Sequence, residues 1–260
     1  MVKVVVFDLD ETIGNFIQLS VLDYKLRKFY NRDLLKEHFF KILDIFPMVF
    51  RPNIFNIFKY LKKMKEQKKI KIMIYTNNNG CKMWVHRIKS YVEKKLDYKL
   101  FDRVICAWKY DGKILEKNRT GYEKKYKDLL KCGHLKTTDE IMFLDDQLHE
   151  KMLHPQLTYL YLKPYHYNYQ DEFIINAYAK KMNLKGKKFE KFKGHFNTKT
   201  FSDHYTYNTK KQNESFAIRG KKIERHIKKF IEASNNSTRK KRQKKNKTLK
   251  KYHEKKIFKI

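Results

Sequence analysis

Two carboxylates and a hydroxyl follow an apolar segment near the amino terminus. Residues 4–7 read Val-Val-Val-Phe, and Asp8, Asp10 and Thr12 come next at alternate positions. Residues two apart on an extended chain point to the same side, so the two carboxylates repel each other in a cleft of low dielectric constant. A divalent cation removes that cost, and hard carboxylate oxygens suit Mg²⁺ better than zinc. The spacing therefore predicts a magnesium site, although Asp and Thr are also ordinary residues of a surface turn.

Two later apolar segments end in polar residues in the same way. Residues 70–75 stop at Thr76, where turn-forming residues begin, and residues 141–144 stop at Asp145 and Asp146. Short apolar runs separated by helical stretches are typical of parallel strands that are buried on both faces. In such sheets, ligands bind beyond the carboxyl ends of the strands. The sequence therefore predicts an α/β fold in which three strands deliver four carboxylates and one hydroxyl to a single crevice.

In combination, these motifs resemble those of the haloacid dehalogenase-like (HAD) superfamily of phosphotransferases. The first motif of that superfamily is Asp-x-Asp-x-Thr after a strand, as in residues 8–12. Its second motif is a strand followed by Thr or Ser, here Thr76, and its fourth is a strand followed by an acidic pair, here Asp145 and Asp146. The resemblance covers about residues 1–165. It implies a Rossmann-like parallel sheet flanked by helices.

Within the superfamily, the chain looks most like the branch of NLI-interacting-factor-like and RNA polymerase carboxy-terminal-domain phosphatases. The shared segments are Asp-Leu-Asp-Glu-Thr at 8–12, Phe-Arg-Pro-Asn at 50–53 and Lys-Asp-Leu at 127–129. The chain departs from that branch at Asn77, where the branch usually has Ala-Ser, and at Asp146, where it often has Asn. The resemblance implies a phosphatase that acts on phosphoserine or phosphothreonine of a protein.

The resemblance also assigns roles to the motif residues. Asp8 is expected to be the nucleophile that forms an aspartyl-phosphate, and Asp10 the group that protonates the leaving oxygen and then deprotonates water. The Thr76 hydroxyl and the backbone N–H groups after Asp8 are expected to bind phosphoryl oxygens. The further candidates for phosphate binding are Thr12, Asn77 and Lys127. The expected ligands of Mg²⁺ are Asp8, Asp145, Asp146 and the backbone carbonyl of Asp10.

The third motif of the superfamily is a lysine upstream of the acidic pair, and several lysines fit that description. Residues 122–130 read Tyr-Glu-Lys-Lys-Tyr-Lys-Asp-Leu-Leu and begin a predicted helix. Lys125 is favoured as the catalytic lysine, because it has the spacing of many shorter relatives and lies near the helix start. Lys127 is the second choice, because it precedes Asp-Leu as in the phosphatase branch.

Charge and composition restrict the class of partner. The 260 residues carry a formal net charge of +33, which favours polyanions such as nucleic acid or an acidic phosphoprotein. Part of that charge reflects a general abundance of Lys, Asn, Ile, Tyr and Phe. The three cysteines are scattered, as expected in a reducing compartment. No apolar run has the length of a membrane span or signal peptide, so we expect a soluble protein in the cytoplasm or nucleus.

The composition predicts three regions. Residues 1–180 form the phosphatase domain, residues 181–235 a linker and a basic amphipathic helix, and residues 236–260 a basic, disordered tail. The stretch 189–212 is interpreted as an irregular linker. The helix is predicted from apolar residues on one face: Ile218, Ile223, Ile227, Phe230 and Ile231. The cationic run 239–247 suits nuclear import or nucleic-acid contact, or is simply a solvated tail.

The segments next to the motifs bear on the size of the substrate. Residues 15–47 suggest one or two helices, and neither they nor residues 81–121 contain a recognisable cap domain. Such a minimal cap fits a phosphoryl group presented by a macromolecule, and Trp108 is a candidate contact, although packing is the commoner role. A nucleic-acid 3′-end phosphatase on the same fold is therefore the first alternative. A binding protein with a vestigial site is the second.

Overall fold

The computed structural model describes residues 1–78, 82–196, 207–233 and 256–260. Within these residues, six strands form one sheet in which every pair of neighbours is parallel. These strands are β1 (Lys3–Phe7), β2 (Ile70–Tyr75), β3 (Arg103–Ile105), β6 (Glu140–Asp145), β7 (Leu157–Tyr161) and β8 (Ile257–Lys259). Their order across the sheet is β3-β2-β1-β6-β7-β8. A separate hairpin pairs β4 (Lys109–Tyr110) with β5 (Lys113–Ile114).

Helices cover both faces of the sheet. They are α1 (Ile17–Tyr30), α2 (Lys36–Ile45), α3 (Ile54–Glu66), α4 (Lys82–Leu96), α5 (Tyr126–Gly133), α6 (Asp171–Lys181), α7 (Gly186–His195) and α8 (Lys210–Glu232). Short 3-10 turns lie at Pro47–Val49 and Glu150–Met152. The predicted α/β fold with a parallel sheet flanked by helices is confirmed. Among the described residues, every helix is too short or too polar to cross a lipid bilayer.

The position of β1 in the sheet explains why residues 4–7 are all apolar. Val5 and Phe7 belong to the larger core cluster, whereas Val4 and Val6 belong to a second cluster on the opposite face. All four side chains are fully buried. A central parallel strand with helices on both faces needs this continuous run rather than an alternation of polar and apolar residues. β1 therefore ends inside the protein, and the polar residue that follows it, Asp8, is buried.

The register of the sheet brings the three motifs level with one another. Phe7 lies opposite Ile74 of β2 on one side and opposite Leu144 of β6 on the other. The backbone N–H of Asp8 donates to the carbonyl of Leu144 at 2.8 Å. The residues that follow these three strands therefore meet at one edge of the sheet.

The predicted minimal cap consists of α1 and α2. Both helices follow the first motif, and α2 packs against α4 and α6. Their buried residues, such as Leu22 and Phe39, join the larger core cluster. The segment is thus part of the main core, with no core of its own among the described residues.

The predicted irregular linker at 189–212 is wrong for its first part. Residues 186–195 form α7, and Phe192 and Phe196 are buried. The ring centroid of Phe192 lies 5.4 Å from that of Phe29 and 5.2 Å from that of Tyr178. Phe189, Phe192 and Phe196 have helical spacing, but the lysines between them obscure it. Residues 197–206 lie outside the described residues.

The predicted disordered tail at 236–260 is wrong for its last five residues. Residues 257–259 form β8, and Tyr159 of β7 lies opposite Ile257. The backbone N–H of Ile260 also donates to the carbonyl of Tyr161 at 2.9 Å. A short apolar segment gains hydrogen bonds by pairing with an otherwise unpaired edge strand, which outweighs the basic composition before it. Residues 234–255, including the cationic run 239–247, lie outside the described residues.

Helix α8 is the amphipathic helix that the sequence predicts. It begins at a capping box in which Thr209 accepts from the N–H of Gln212. Ile223, Ile227 and Ile231 join the larger core. At its other end, Lys3 Nζ donates to the carbonyls of Phe230 at 2.7 Å and Ile231 at 2.9 Å. An ammonium here satisfies carbonyls that a helix end leaves unpaired.

We expect Gly220→Ala to destabilise the protein by about 1–3 kcal/mol through overpacking. A Cβ at Gly220 would meet the carbonyl oxygen of Pro52 and lie 2.9 Å from the Cβ of Asn53. The effect opposes the usual gain of about 0.5–1 kcal/mol when Ala replaces Gly within a helix. Gly194→Ala in α7 is the matched control, because its Cβ would meet nothing within 4 Å. Urea unfolding should show that Gly220→Ala lowers the free energy of unfolding and that Gly194→Ala raises it. Equal free energies of unfolding for the two variants would show that α8 does not dock closely on residues 52–53.

Candidate active site

Three buried carboxylates meet at the carboxyl edge of the sheet. Asp8 follows β1, Asp145 is the last residue of β6, and Asp146 comes next. One carboxylate oxygen of each lies within 4.8 Å of the others. Three oxygens at that separation can bind one small cation together. The structure therefore brings together the three carboxylate side chains that the sequence predicts as metal ligands.

A lysine ammonium lies between two of these carboxylates. Lys124 Nζ is 2.6 Å from Asp8 Oδ1 and 2.7 Å from Asp145 Oδ2, and the side chain is only 2% exposed. Burial lowers the pKa of Lys124, but the two carboxylates raise it by more, so the ammonium stays charged. Burial likewise raises the pKa of Asp145, but Lys124 and His149 lower it below the ordinary value. Lys124 therefore fixes the positions of both carboxylates.

This arrangement corrects the prediction that Lys125 is the lysine of the site. Lys125 Nζ donates instead to Thr120 Oγ1 at 2.8 Å near the surface, and Lys127 is exposed on α5. Lys125 is the N-cap of α5, with extended backbone at φ −130° and ψ 140°. Successive residues of an extended chain point to opposite sides, so Lys124 faces the carboxylates where Lys125 faces solvent. Lys127, predicted to bind phosphate, does not reach the cluster either.

The cluster carries more negative than positive charge. Burial and the charges of Asp145 and Asp10 raise the pKa of Asp8 well above its ordinary value, although Lys124 opposes the shift. Burial and Asp145 also raise the pKa of Asp146 to about 6. One ammonium cannot balance three ionised carboxylates, and a divalent cation supplies the missing charge. An all-oxygen donor set with unbalanced negative charge fits Mg²⁺.

Thr12 supports the cluster. Its hydroxyl donates to Asp146 Oδ1 at 3.1 Å, and both groups are buried. The sequence predicts Thr12 as a phosphate ligand, whereas the structure places its hydroxyl against Asp146, a candidate metal ligand. Such a hydrogen bond orients the carboxylate and stabilises its ionised form.

Asp10 lies apart from the three clustered carboxylates and has its own partner. Asn78 Nδ2 donates to Asp10 Oδ2 at 2.7 Å. The next residue, Glu11, turns the chain with a φ of 56°. Burial raises the pKa of Asp10, and the hydrogen bond from Asn78 partly offsets the shift. A carboxyl group that keeps its proton to higher pH is suited to donate it to a leaving oxygen. The metal contact predicted for its backbone carbonyl stays a prediction.

The second motif is held by a buried arginine that the sequence did not single out. Arg119 Nη1 donates to the carbonyls of Thr76 at 3.0 Å and Cys106 at 2.8 Å. Its Nη2 donates to Asn77 Oδ1 at 2.6 Å and to the carbonyl of Tyr122 at 2.8 Å. Arg119 thus joins the turn after β2 to the loop before α5. Among 61 Lys and Arg residues, nothing in its sequence context distinguishes it.

The hydroxyl of Thr76 is placed to act as a donor. Thr76 is buried at the end of β2, and its Oγ1 accepts from the backbone N–H of Asn78 at 2.9 Å. The hydroxyl proton remains to be donated to an anionic oxygen. The amide of Asn77 is engaged by Arg119, so its expected role in phosphate binding stays a prediction.

Arg51 anchors the loop of the first motif through hydrogen bonds to its backbone carbonyls. Its Nε donates to the carbonyl of Thr12 at 2.6 Å, and its Nη2 donates to the carbonyls of Glu11 and of Lys163, the latter at 2.9 Å. Burial lowers the pKa of Arg51 to about 10, which leaves it charged at neutral pH. Three carbonyls on one guanidinium fix the turn from which Asp10 and Thr12 extend. From the sequence, Arg51 was identified only as part of the segment 50–53 that resembles the phosphatase branch.

We expect Asp146→Asn to stabilise the metal-free protein while weakening Mg²⁺ binding. The folded pKa of Asp146, about 6, lies above the ordinary value of 3.8, so the folded state holds the proton more tightly. Ionised Asp146 therefore destabilises the metal-free fold above pH 6, and the cost fades as pH falls towards 4. At pH 7.5 the Asn variant should gain up to about 3 kcal/mol.

The measurement is thermal unfolding with and without Mg²⁺ at pH 7.5 and pH 4. The wild type should gain stability from Mg²⁺ at pH 7.5, because the ion binds only the folded state. At pH 7.5, Asp146→Asn should be more stable than the wild type without Mg²⁺. Added Mg²⁺ should not stabilise it further. A lower starting stability at pH 7.5 would contradict the repulsion argued above.

The comparisons with known proteins are sparse. The chain matches no family model and no curated protein. Among solved structures, it is similar to a HAD-superfamily hydrolase of subfamily IA, variant 1, from Geobacter sulfurreducens. The TM-score is 0.38 and the identity 14%, over 63% of this chain and 90% of that chain. A likeness that distant carries no argument about activity, which rests on the geometry of the site.

Proposed function

We propose that the protein is a Mg²⁺-dependent phosphoric monoester hydrolase with Asp8 as its nucleophile. The observation that carries the proposal is the ammonium of Lys124 between Asp8 and Asp145, with Asp146 beside them. A nucleophilic carboxylate has to be ionised and held in one orientation. Lys124 serves both needs, because its charge favours ionised Asp8 and its hydrogen bond fixes one carboxylate oxygen.

In the first half-reaction, an Asp8 oxygen attacks the phosphorus atom of the monoester. The bond from phosphorus to the leaving oxygen breaks, and Asp10 gives its proton to that oxygen. The products are an alcohol and an aspartyl-phosphate on Asp8. The Thr76 hydroxyl and the backbone N–H groups after Asp8 bind the phosphoryl oxygens.

In the second half-reaction, water attacks the same phosphorus atom. Asp10, now ionised, takes a proton from the water, and the bond between phosphorus and Asp8 breaks. Inorganic phosphate leaves, and both carboxyl groups return to their starting states. Asp8, Asp145 and Asp146 would hold Mg²⁺, which when bound neutralises charge on the phosphoryl oxygens.

Asp10→Asn tests the assigned proton transfer. We expect kcat for an alkyl phosphate to fall by roughly 10²–10⁴-fold, because its alkoxide needs a proton to leave. An aryl phosphate with an acidic phenol should lose far less in the first half-reaction. Burst kinetics on the aryl phosphate would then show fast formation and slow hydrolysis of the aspartyl-phosphate. An equal loss of the burst rate on both substrates would contradict the acid role.

Two classes of substrate are compared: phosphoserine or phosphothreonine of a protein, which the sequence resemblance implies, and a phosphorylated nucleic-acid end, which is the first alternative. The experiment measures Mg²⁺-dependent phosphate release from a phosphoserine peptide and from a 3′-phosphorylated oligonucleotide at one salt concentration. Turnover of either, abolished by chelation, supports a phosphatase. No release from these substrates or from an aryl phosphate by folded, Mg²⁺-bound protein would overturn it in favour of a binding protein with a vestigial site.

A further inference from the structure

An exposed aromatic ring lies on the loop that leads to Lys124, the lysine that contacts Asp8. Tyr122 is 58% exposed, and its ring meets that of Trp108 edge to face, with centroids 5.3 Å apart. Trp108 precedes the β4–β5 hairpin, and its carbonyl accepts from the N–H groups of Leu115 and Glu116, which close the hairpin. The half-buried Trp108 thus supports a Tyr122 ring that is open to solvent.

The backbone of Tyr122 is tied to the candidate active site. Its carbonyl accepts from Arg119, which also binds Thr76 and Asn77 at the end of β2. Two residues further on, Lys124 contacts Asp8. Two residues span at most about 7 Å of chain, so the backbone that carries the Tyr122 ring lies beside the residue that contacts Asp8.

One ammonium group contacts this ring pair, and other lysines are exposed on the segment between the two rings. Lys109 Nζ lies 4.1 Å from the centroid of the Trp108 ring, and Lys113 in β5 and Lys117 after it are exposed. Lys125 Nζ is also at the surface, bonded to Thr120. Aromatic rings among cationic side chains are what single-stranded nucleic acid needs, since bases stack on the rings while phosphates meet the cations.

We propose that Tyr122 stacks on the terminal base of a single-stranded, phosphorylated nucleic-acid end whose terminal phosphate is the group that Asp8 attacks. The inference rests on the proposed function and names its substrate class. The net charge of +33 favours the same partner, because a phosphodiester chain is a polyanion. A phosphopeptide has a phosphate for Asp8 but no base to stack on Tyr122. Turnover of a phosphopeptide but of no oligonucleotide would therefore contradict the inference.

The experiment compares two oligonucleotides that differ at one position. One carries its 3′-phosphate on an ordinary nucleotide, and the other carries it on an abasic residue. For the wild type we expect kcat/KM to be roughly tenfold higher with the base present. Tyr122→Ala should abolish that preference, mainly through KM, and Tyr122→Phe should keep it.

Tyr24→Ala is the matched control. Tyr24 is 55% exposed on α1, and Lys28 Nζ lies 5.7 Å from its ring centroid. This variant removes a similarly exposed ring that has a lysine nearby, but from helix α1 instead of the loop that carries Tyr122. It should leave the preference for the base unchanged.

A binding measurement tests the stacking without turnover. The chain has two tryptophans, so Trp84→Phe leaves Trp108, beside Tyr122, as the reporter. In the Asp8→Asn background, the base-bearing oligonucleotide should quench this fluorescence and the abasic one should not. Equal quenching by both, or equal kcat/KM for both, overturns the inference.

The two proposals fail in different ways. If the protein hydrolyses the phosphoserine peptide but neither oligonucleotide, the nucleic-acid substrate is overturned. The proposed phosphatase activity is then still supported. Base-dependent quenching without phosphate release from any substrate overturns the phosphatase and leaves a nucleic-acid binding surface.

Discussion

Asp8→Asn is expected to abolish phosphate release, with a loss in kcat of roughly 10⁵-fold or more. The amide cannot form an aspartyl-phosphate, so the two-step route is closed. The fold should survive, because Lys124 keeps its contact with Asp145 and one of three repelling carboxylates is removed. The measurement is phosphate release from an aryl phosphate, with acid quenching to trap any phosphoenzyme in the wild type.

The control for this variant is Asp97→Asn. Asp97 is exposed at the end of α4 and has a φ of 47°, a conformation that Asn adopts as readily as Asp. It should keep wild-type turnover. Turnover that persists in Asp8→Asn, in protein shown to be free of contaminating phosphatase, would remove Asp8 from the role of nucleophile.

Lys124→Met should lose much more stability and activity than Lys125→Met, although the two residues are adjacent. Lys124 is the buried cation between two carboxylates, so its loss leaves their charges unbalanced and should cost about 3 kcal/mol of stability. Catalysis of aryl phosphate hydrolysis should fall by roughly 10²–10³-fold, because Asp8 loses the group that holds it. Lys125→Met should change the free energy of unfolding by less than about 0.5 kcal/mol.

Mg²⁺ provides an internal check on this pair. Added Mg²⁺ should recover part of the stability lost in Lys124→Met, since a cation then compensates the same carboxylates. It should shift Lys125→Met and the wild type equally. Urea unfolding at several Mg²⁺ concentrations measures both effects, and a larger loss in Lys125→Met would contradict the assignment of Lys124.

The sequence predicted the parts of the fold and site that depend on strand ends. Strands β1, β2 and β6 are mainly apolar, their apolar residues stop abruptly at polar ones, and parallel strands end at a common edge. Asp8, Thr76, Asp145 and Asp146 were therefore placed without knowledge of any helix packing. The carboxylate cluster follows from that topology alone.

The choice of lysine could not be made in the same way. Lys124 and Lys125 have the same side chain, and which of them faces inward depends on where α5 begins and on the extended backbone just before it. A shift of one residue in that boundary exchanges their directions. Arg119 was missed for a related reason, because its partners are three backbone carbonyls and one side-chain amide oxygen from three separate segments.

Residues 189–195 and 257–259 were misinterpreted because composition dominated the interpretation. Phe192 and Phe196 lie among lysines, yet both are buried in the larger core cluster with α7. Residues 257–259 are too few to show a strand period. Their place is decided by the unpaired edge of β7, which no local pattern reveals.

Strand β8 has a consequence for how the protein is made. Its partner, β7, lies about a hundred residues earlier in the chain. At about 5–20 residues per second, a ribosome needs roughly 5–20 s to synthesise the interval, and during that time β7 has no neighbour on its outer side. A nascent chain in this state exposes backbone donors and acceptors that can pair with a second nascent chain. Crowded polysomes should therefore favour aggregation of unfinished chains, and slower initiation should raise the yield of native protein.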